Sequence, residues 1–268
     1  VFSTYPAALA LHHGEVAEGD TILRLARRFE TTLVGETVAA VAPNPRGRAA
    51  GVERLDGRRL TVAEARGKHL LLEFGDLSLH SHLGIGGGWH FYRHGARRRR
   101  PRSSAWAVLS AAGWDAVQLG GPTLRVLPTR GLRRDPQIGR LGPDVLGEDF
   151  DSTAVVAAMR RDPTRTLGDA LLDQRLVAGI GNIFKSEACF AARVDPWRAV
   201  GELSDAELGA VLASAREQML AAVESGERHR FQVYRRRPAS CPRCGGPLSM
   251  RGQGDANRTT YWCPRCQG

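Results

Sequence analysis

Residues 241–266 read Cys241-Pro-Arg-Cys244-Gly-Gly-Pro-Leu-Ser-Met-Arg-Gly-Gln-Gly-Asp-Ala-Asn-Arg-Thr-Thr-Tyr-Trp-Cys263-Pro-Arg-Cys266, two CxxC pairs enclosing 18 residues. Each CxxC turn can present two thiolates to one ion, and zinc prefers four tetrahedral ligands. The spacing points to a structural ribbon that holds one Zn2+ through Cys241, Cys244, Cys263 and Cys266. Two separate redox pairs are the competing reading. With four protein ligands no coordination position stays open, which argues against catalysis at the metal. The intervening segment is expected to form a β-hairpin with Gly252, Gly254, Asn257 and Arg258 at its tip. The fifth cysteine, Cys189, lies in an apolar helical stretch and is expected in the core.

Working outward, the ribbon sits in the most basic part of the chain. Of a net charge of +10 over 268 residues, +8 falls between Arg228 and Gly268, where nine arginines face one acid, Asp255. Such a concentration suggests a polyanionic partner. Lysine is scarce, with Lys68 and Lys185 against 36 arginines. Arg97–Arg100 with Arg102 is expected to be a solvated loop. An odd cysteine count with four in CxxC pairs favours a reduced compartment over disulfides. A hydrophobic content of 42% fits a globular protein and argues against disorder. No apolar run nears the roughly 18 residues of a membrane span. The first 13 residues have no basic region before them and contain Tyr5, Pro6, His12 and His13, so a signal peptide is not expected.

Residues 19–34 carry Ile22, Leu25, Ala26 and Phe29 on one helical face, with Asp20 or Gly19 as cap. From about 36 to 127 short β-like runs alternate with turn residues: Thr37–Val41, Lys68–Phe74, Leu77–Leu83, Trp89–Tyr92, Trp106–Leu109, Trp114–Leu119 and Leu124–Leu127. No long helix interrupts them, so an antiparallel β-sandwich is expected. From 151 the chain reads as helical, with a capping box at Ser204 and Glu207. The overall class is α+β. Two helices flank Gly179-Ile-Gly-Asn182. Glycine lets a backbone approach a phosphate, and helix N-terminal amides attract anions. A plain tight turn between helices would read the same.

Several motifs, taken in order, resemble the formamidopyrimidine-DNA glycosylase/endonuclease VIII family. They are Glu18-Gly-Asp-Thr21 opening a helix, Arg66-Gly-Lys68 before an apolar strand, and His82-Leu-Gly-Ile85. Leu141-Gly-Pro-Asp144, Leu171-Leu-Asp-Gln174, Val177-Ala-Gly-Ile-Gly-Asn-Ile183 with Ser186-Glu187, and Arg258-Thr-Thr-Tyr-Trp-Cys263 complete the set. The resemblance covers about residues 16–268 and is strongest to actinobacterial endonuclease VIII-type members. It implies an N-terminal β-sandwich, a helix–two-turn–helix domain and the zinc-ribbon hairpin. The expected division is an extension at 1–16, a start-site artefact or disordered; a catalytic domain at 17–127; a linker at 128–150; a DNA-binding domain at 151–237; and the ribbon at 238–268.

The resemblance also implies a bifunctional DNA glycosylase/AP lyase of base excision repair, acting on oxidised bases with pyrimidines favoured. In that family the α-amine of the residue after the initiator Met attacks C1′, and β,δ-elimination follows from the Schiff base. The matching residue is Ala17, not the usual proline, and 16 residues precede it. One explanation is a start at Val16 with removal of the initiator, exposing Ala17. The other is a catalytically inactive paralogue that binds damaged or abasic DNA. A general zinc-ribbon transcription factor is a third reading that leaves Glu18 and Lys68 unexplained. By the same resemblance Glu18 is the proton-transferring carboxylate, and Lys68, Asn182 and Arg258 grip phosphates. Lys185 is read equally as a hairpin residue or a solvated helix residue. Ile85 is expected to fill the gap left by a flipped base. The family's Asp-Pro-Arg-Arg-Phe-Gly loop is missing, and Arg130–Arg140 occupies its region. The expected partner is damaged DNA, bound by a monomer in the bacterial cytoplasm at the nucleoid, with no membrane and no small-molecule cofactor.

Overall fold

A computed structural model describes residues 16–98, 100–132, 134–226, 231–236, 239–255 and 257–268. The expected extension therefore lies, but for Val16, outside the described residues. The chain packs as two units. One comprises the residues up to Ala17 with Thr21–Gly139, the other Glu18–Asp20 with Arg140–Gly268. The division falls inside the segment expected to be a linker. It also assigns three N-terminal residues to the second unit.

In the first unit, α1 (Gly19–Thr32) places Ile22, Leu25, Ala26 and Phe29 in the core. Phe29 meets Trp89 and Phe91 edge-on, with ring centroids 5.1 and 4.9 Å away. The helix stops two residues short of the expected end. The amides of Leu33 and Val34 still reach the Phe29 carbonyl, and Gly35 then turns the chain at φ +91°. There follow β1 (Ala39–Val41), α2 (Pro45–Ala49), β2 (Val62–Arg66), β3 (His69–Phe74), β4 (Leu77–His82) and β5 (Gly88–Arg93). The unit continues with β6 (Ala107–Ala111), β7 (Trp114–Leu119), β8 (Thr123–Pro128) and α3 (Thr129–Leu132).

The strands form two four-stranded antiparallel sheets, β1-β6-β7-β5 and β2-β3-β4-β8. Leu70, Leu72 and Leu79 from one and Ala107, Leu109 and Ala116 from the other share a core, so this is the expected sandwich. β2 was not foreseen. Its Val-Ala-Glu-Ala-Arg carries weak apolar alternation because it is an edge strand paired only to β3.

In the second unit, α4 (Ser152–Met159) is capped by the Asp151 carboxylate. It is followed by α5 (Leu167–Leu172), α6 (Asn182–Ala192) and α7 (Asp205–Ser225). At the start of α7, Ser204 Oγ accepts from the Glu207 amide at 3.2 Å, and Glu207 accepts from the Ser204 amide at 2.7 Å. This is the capping box expected from sequence. Leu171, Ile180, Phe184, Cys189, Leu212 and Met219 build the helical core. The ribbon adds β9 (Ser249–Gln253) antiparallel to β10 (Arg258–Trp262), then α8 (Pro264–Gln267). The β10 strand lies on α6. Among the described residues, no helix is long and apolar enough to cross a membrane.

Candidate nucleic-acid interface

In the first unit the chain passes Val16 alongside Ile85, and the Ala17 nitrogen donates to the Gly84 carbonyl at 3.3 Å. Ala17 is buried. Ile85 is 63% exposed. Its turn depends on Gly84, at φ +57°, where a Cβ would meet the Pro122 ring at 2.8 Å.

Lys68 sits half-buried in the β2–β3 turn, after Gly67 at φ +56°. Beside it β3 and β4 align His69, His80 and His82, and β8 adds Arg125. Arg125 Nε donates to His80 Nδ1 at 3.1 Å. That nitrogen is therefore unprotonated, so His80 Nε2 carries the proton and donates to His69 Nδ1 at 2.8 Å. Asp135 anchors Arg125 at 2.6 Å. Burial, then neighbouring histidines, Lys68 and Arg125, brings His69 down to about 3. Burial and Arg125 bring His80 down to about 4. Burial and Lys68 also lower His82. Near neutral pH the three imidazoles are therefore uncharged.

In the second unit Glu18 is fully buried. Its carboxylate accepts from the amides of Gly181 (3.1 Å), Ile183 (2.8 Å) and Phe184 (3.2 Å) where α6 begins. The N-terminal end of a helix is where a negative charge is best held. A Cβ on Gly181 would lie 2.2 Å from the Glu18 carboxyl carbon, so glycine is a steric requirement at this position. Asn182, the first residue of α6, donates to the Thr259 carbonyl at 2.7 Å. Thr259 adjoins Arg258, whose side chain is exposed and makes no hydrogen bond or ion pair among the described residues.

The four expected zinc ligands converge, with their sulfurs all within 4.8 Å of one another. Cys241 and Cys266 lie 3.8 Å apart, and Cys244 and Cys263 lie 3.6 Å apart. A tetrahedron with Zn–S bonds of about 2.3 Å has S···S edges of about 3.8 Å, so the set fits one structural zinc. Cys189 is buried in the helical core as expected, and burial pushes its thiol up to about 12.

Models of the formamidopyrimidine-DNA glycosylase N-terminal domain, of its H2TH domain and of the zinc finger found in FPG and IleRS match residues 16–121, 141–232 and 241–268. A "Probable endonuclease 8 2" of Streptomyces coelicolor is 40% identical over 262 residues, covering 93% of each chain. The chain belongs to the formamidopyrimidine-DNA glycosylase/endonuclease VIII family. Another relative is the "DNA-(apurinic or apyrimidinic site) lyase Nei2" of Mycolicibacterium smegmatis, 33% identical over 93% of this chain and 98% of its own. A crystal structure of the Lactococcus lactis glycosylase non-covalently bound to DNA containing an AP site superposes with a TM-score of 0.80. It is 26% identical and covers 93% of this chain and 99% of that one.

Two features beside the candidate residues escaped sequence reasoning. Lys185 is not solvated; it is fully buried, and its Nζ donates to Thr260 Oγ1 at 2.6 Å and more weakly to Gln253 Oε1 at 3.4 Å. The signal was present, since Ile183, Phe184, Ala188, Cys189 and Phe190 leave this helix little room for a wet face. The chain from Asp135 to His69 joins residues far apart in sequence, and no local pattern announces it. The structure also pins the arginine loop by an Arg98–Asp115 ion pair of 2.5 Å, while Arg97 and Arg102 stay exposed.

Proposed function

We propose that this protein is a bifunctional DNA glycosylase/AP lyase that excises oxidised bases, pyrimidines foremost, with the α-amine of Ala17, exposed by a start at Val16 and removal of the initiator, as nucleophile. One arrangement carries the reading. The start of α6 holds Glu18 on its amides and, through Asn182, the strand residue next to Arg258. This supports reading Glu18 as the proton-transfer group and Asn182 and Arg258 as phosphate ligands.

A free α-amine has a pKa of about 7.7–8.0, so a useful fraction is neutral near pH 7. The amine attacks C1′ while the glycosidic bond breaks, and the base leaves with the bonding pair and takes up a proton. The Glu18 carboxylate takes the proton that the nitrogen sheds on bonding C1′ and passes it to the sugar ring oxygen as the ring opens to the Schiff base. Loss of a C2′ proton then expels the 3′ phosphate, and a second elimination expels the 5′ phosphate. Lys68, Asn182 and Arg258 hold the phosphates flanking the lesion, with Arg258 offering a two-pronged donor. Ile85 fills the vacated place in the stack. The zinc holds the ribbon in shape. The working form is a cytoplasmic monomer acting at the nucleoid without a small-molecule cofactor.

A second reading is a DNA-binding protein without catalysis. It draws on the Ala17 nitrogen, which in the 268-residue chain is a peptide N–H bonded to Gly84 and has no basic lone pair. The test compares the Ala17-start form with the full chain on duplexes carrying oxidised bases. Cleavage and a borohydride-stable cross-link are expected only from the Ala17-start form. Binding to abasic DNA without turnover by either form selects the second reading. Intact residues 1–16 in the native protein, seen by mass spectrometry, would remove the proposed amine.

A further inference from the structure

Lys185 is a buried ammonium with two neutral oxygen acceptors and no carboxylate at ion-pair distance among the described residues. It lies in the first turn of α6, where the helix dipole opposes a cation. Its acceptors belong to the ribbon. Thr260 is on β10, and Gln253, on β9, is tied to Thr260 at 2.6 Å and to the Pro196 carbonyl at 2.9 Å. A buried charge without a counter-ion is normally selected against, because desolvation is uncompensated. Its place is telling: Asn182 lies three residues before it on α6, and Arg258 two residues before Thr260 on β10.

We propose that Lys185 is a positioning residue of the phosphate site, tying the strand that bears Arg258 to the helix that bears Asn182 and keeping a positive charge behind both, to be matched by a phosphodiester of bound DNA. The proposal rests on the reading of Asn182 and Arg258 as phosphate ligands. It adds a role for a side chain that is not itself exposed to DNA. The titratable and charged groups near the ammonium are Cys189 on its own helix, Asp169 on α5, Glu18, and Arg258 on β10. Burial outweighs the two carboxylates and, helped by Arg258, brings the amine down to about 8. Cys189 stays a neutral thiol in this range. A phosphate arriving at Arg258 favours the charged amine, so the complex takes up a proton wherever the free protein has lost one.

The experiment measures affinity for a duplex with a non-cleavable tetrahydrofuran abasic site between pH 6.5 and 9.5. The wild-type chain should bind about tenfold more weakly at pH 9 than at pH 7, as follows from an amine at about 8 that must be charged in the complex. Lys185→Met and Lys185→Gln should bind more weakly at pH 7 and lose this dependence, with zinc content retained. Arg258→Ala is the control for the underlying reading, and unchanged affinity there sinks that reading. If Arg258→Ala weakens binding while Lys185→Met keeps the wild-type affinity and pH profile, the Lys185 proposal alone fails. Should both Lys185 variants misfold, calorimetry of the wild-type chain at pH 8 in two buffers of different ionisation enthalpy still decides. Uptake of about half a proton per complex is expected, and no uptake overturns the proposal.

Discussion

Glu18 and Gly181 form a matched pair, since one carboxylate fills the space that a side chain at the other would need. Glu18→Gln in the Ala17-start form should lower base removal by about 10²–10⁴-fold, the usual worth of a general acid. Binding to abasic-analogue DNA should survive. Parallel loss of binding would show that the residue acts on structure alone. Gly181→Ala should push the carboxylate off its amides by an ångström or more. A fall in single-turnover rate on the order of 10²-fold is expected. A wild-type rate would mean that the amide cradle is dispensable. Residue-scale features of this kind are hard to read in a sequence. Glu18 was legible as a helix-start acid, yet its three amide donors lie more than 160 positions away. The burial of Lys185 was signalled locally by the apolar residues around it, but its acceptors Gln253 and Thr260 lie about 70 positions away.

At the scale of elements, the ribbon and α7 carry the clearest expectations. The CxxC pairs were legible because two-residue spacing is a geometric property of one turn, needing no knowledge of the rest. Zinc removal by a chelator should unfold the β9–β10 hairpin, release one metal per chain and reduce DNA affinity together. Metal loss with unchanged affinity would separate the ribbon from binding. Ser204→Ala deletes one half of the α7 cap and should destabilise the protein by about 1 kcal/mol in a denaturant titration. That cap too was legible, because all its atoms lie within four residues. Edge strand β2 was not, since its alternation is weak and its existence depends on β3. The end of α1 was overrun by two residues because Leu33 and Val34 prolong the apolar pattern beyond the last helical turn.

For the molecule as a whole, charge and pH govern behaviour. Arg258→Ala should weaken DNA binding irrespective of sequence and reduce the slope of log K against log salt by about one counter-ion. The same slope in the variant would take Arg258 away from the phosphates. The neutral histidines make the first unit acid-sensitive. His69 and His80 titrate near 3 and 4 when folded, against about 6.5 when unfolded. The unfolded chain thus binds more protons between those values, so stability falls as pH drops from 6.5 towards 4. Thermal melts across that range should show the loss, and His80→Phe should flatten it. A pH-independent midpoint in the wild-type chain would contradict the buried, neutral imidazoles.

Glu18–Asp20 pack with the second unit, and this bears on how the chain is made. A ribosome releases these three residues early, but Gly179–Phe184, which bond Gly19 and Glu18, emerge about 160 residues later. The helical half therefore cannot mature until the last third of synthesis, and it matures around a tripeptide that has waited since the beginning. Residues 140–268 produced alone would start α6 with unanswered amides. A short peptide carrying the Glu18-Gly-Asp sequence, added in trans, should raise their melting temperature.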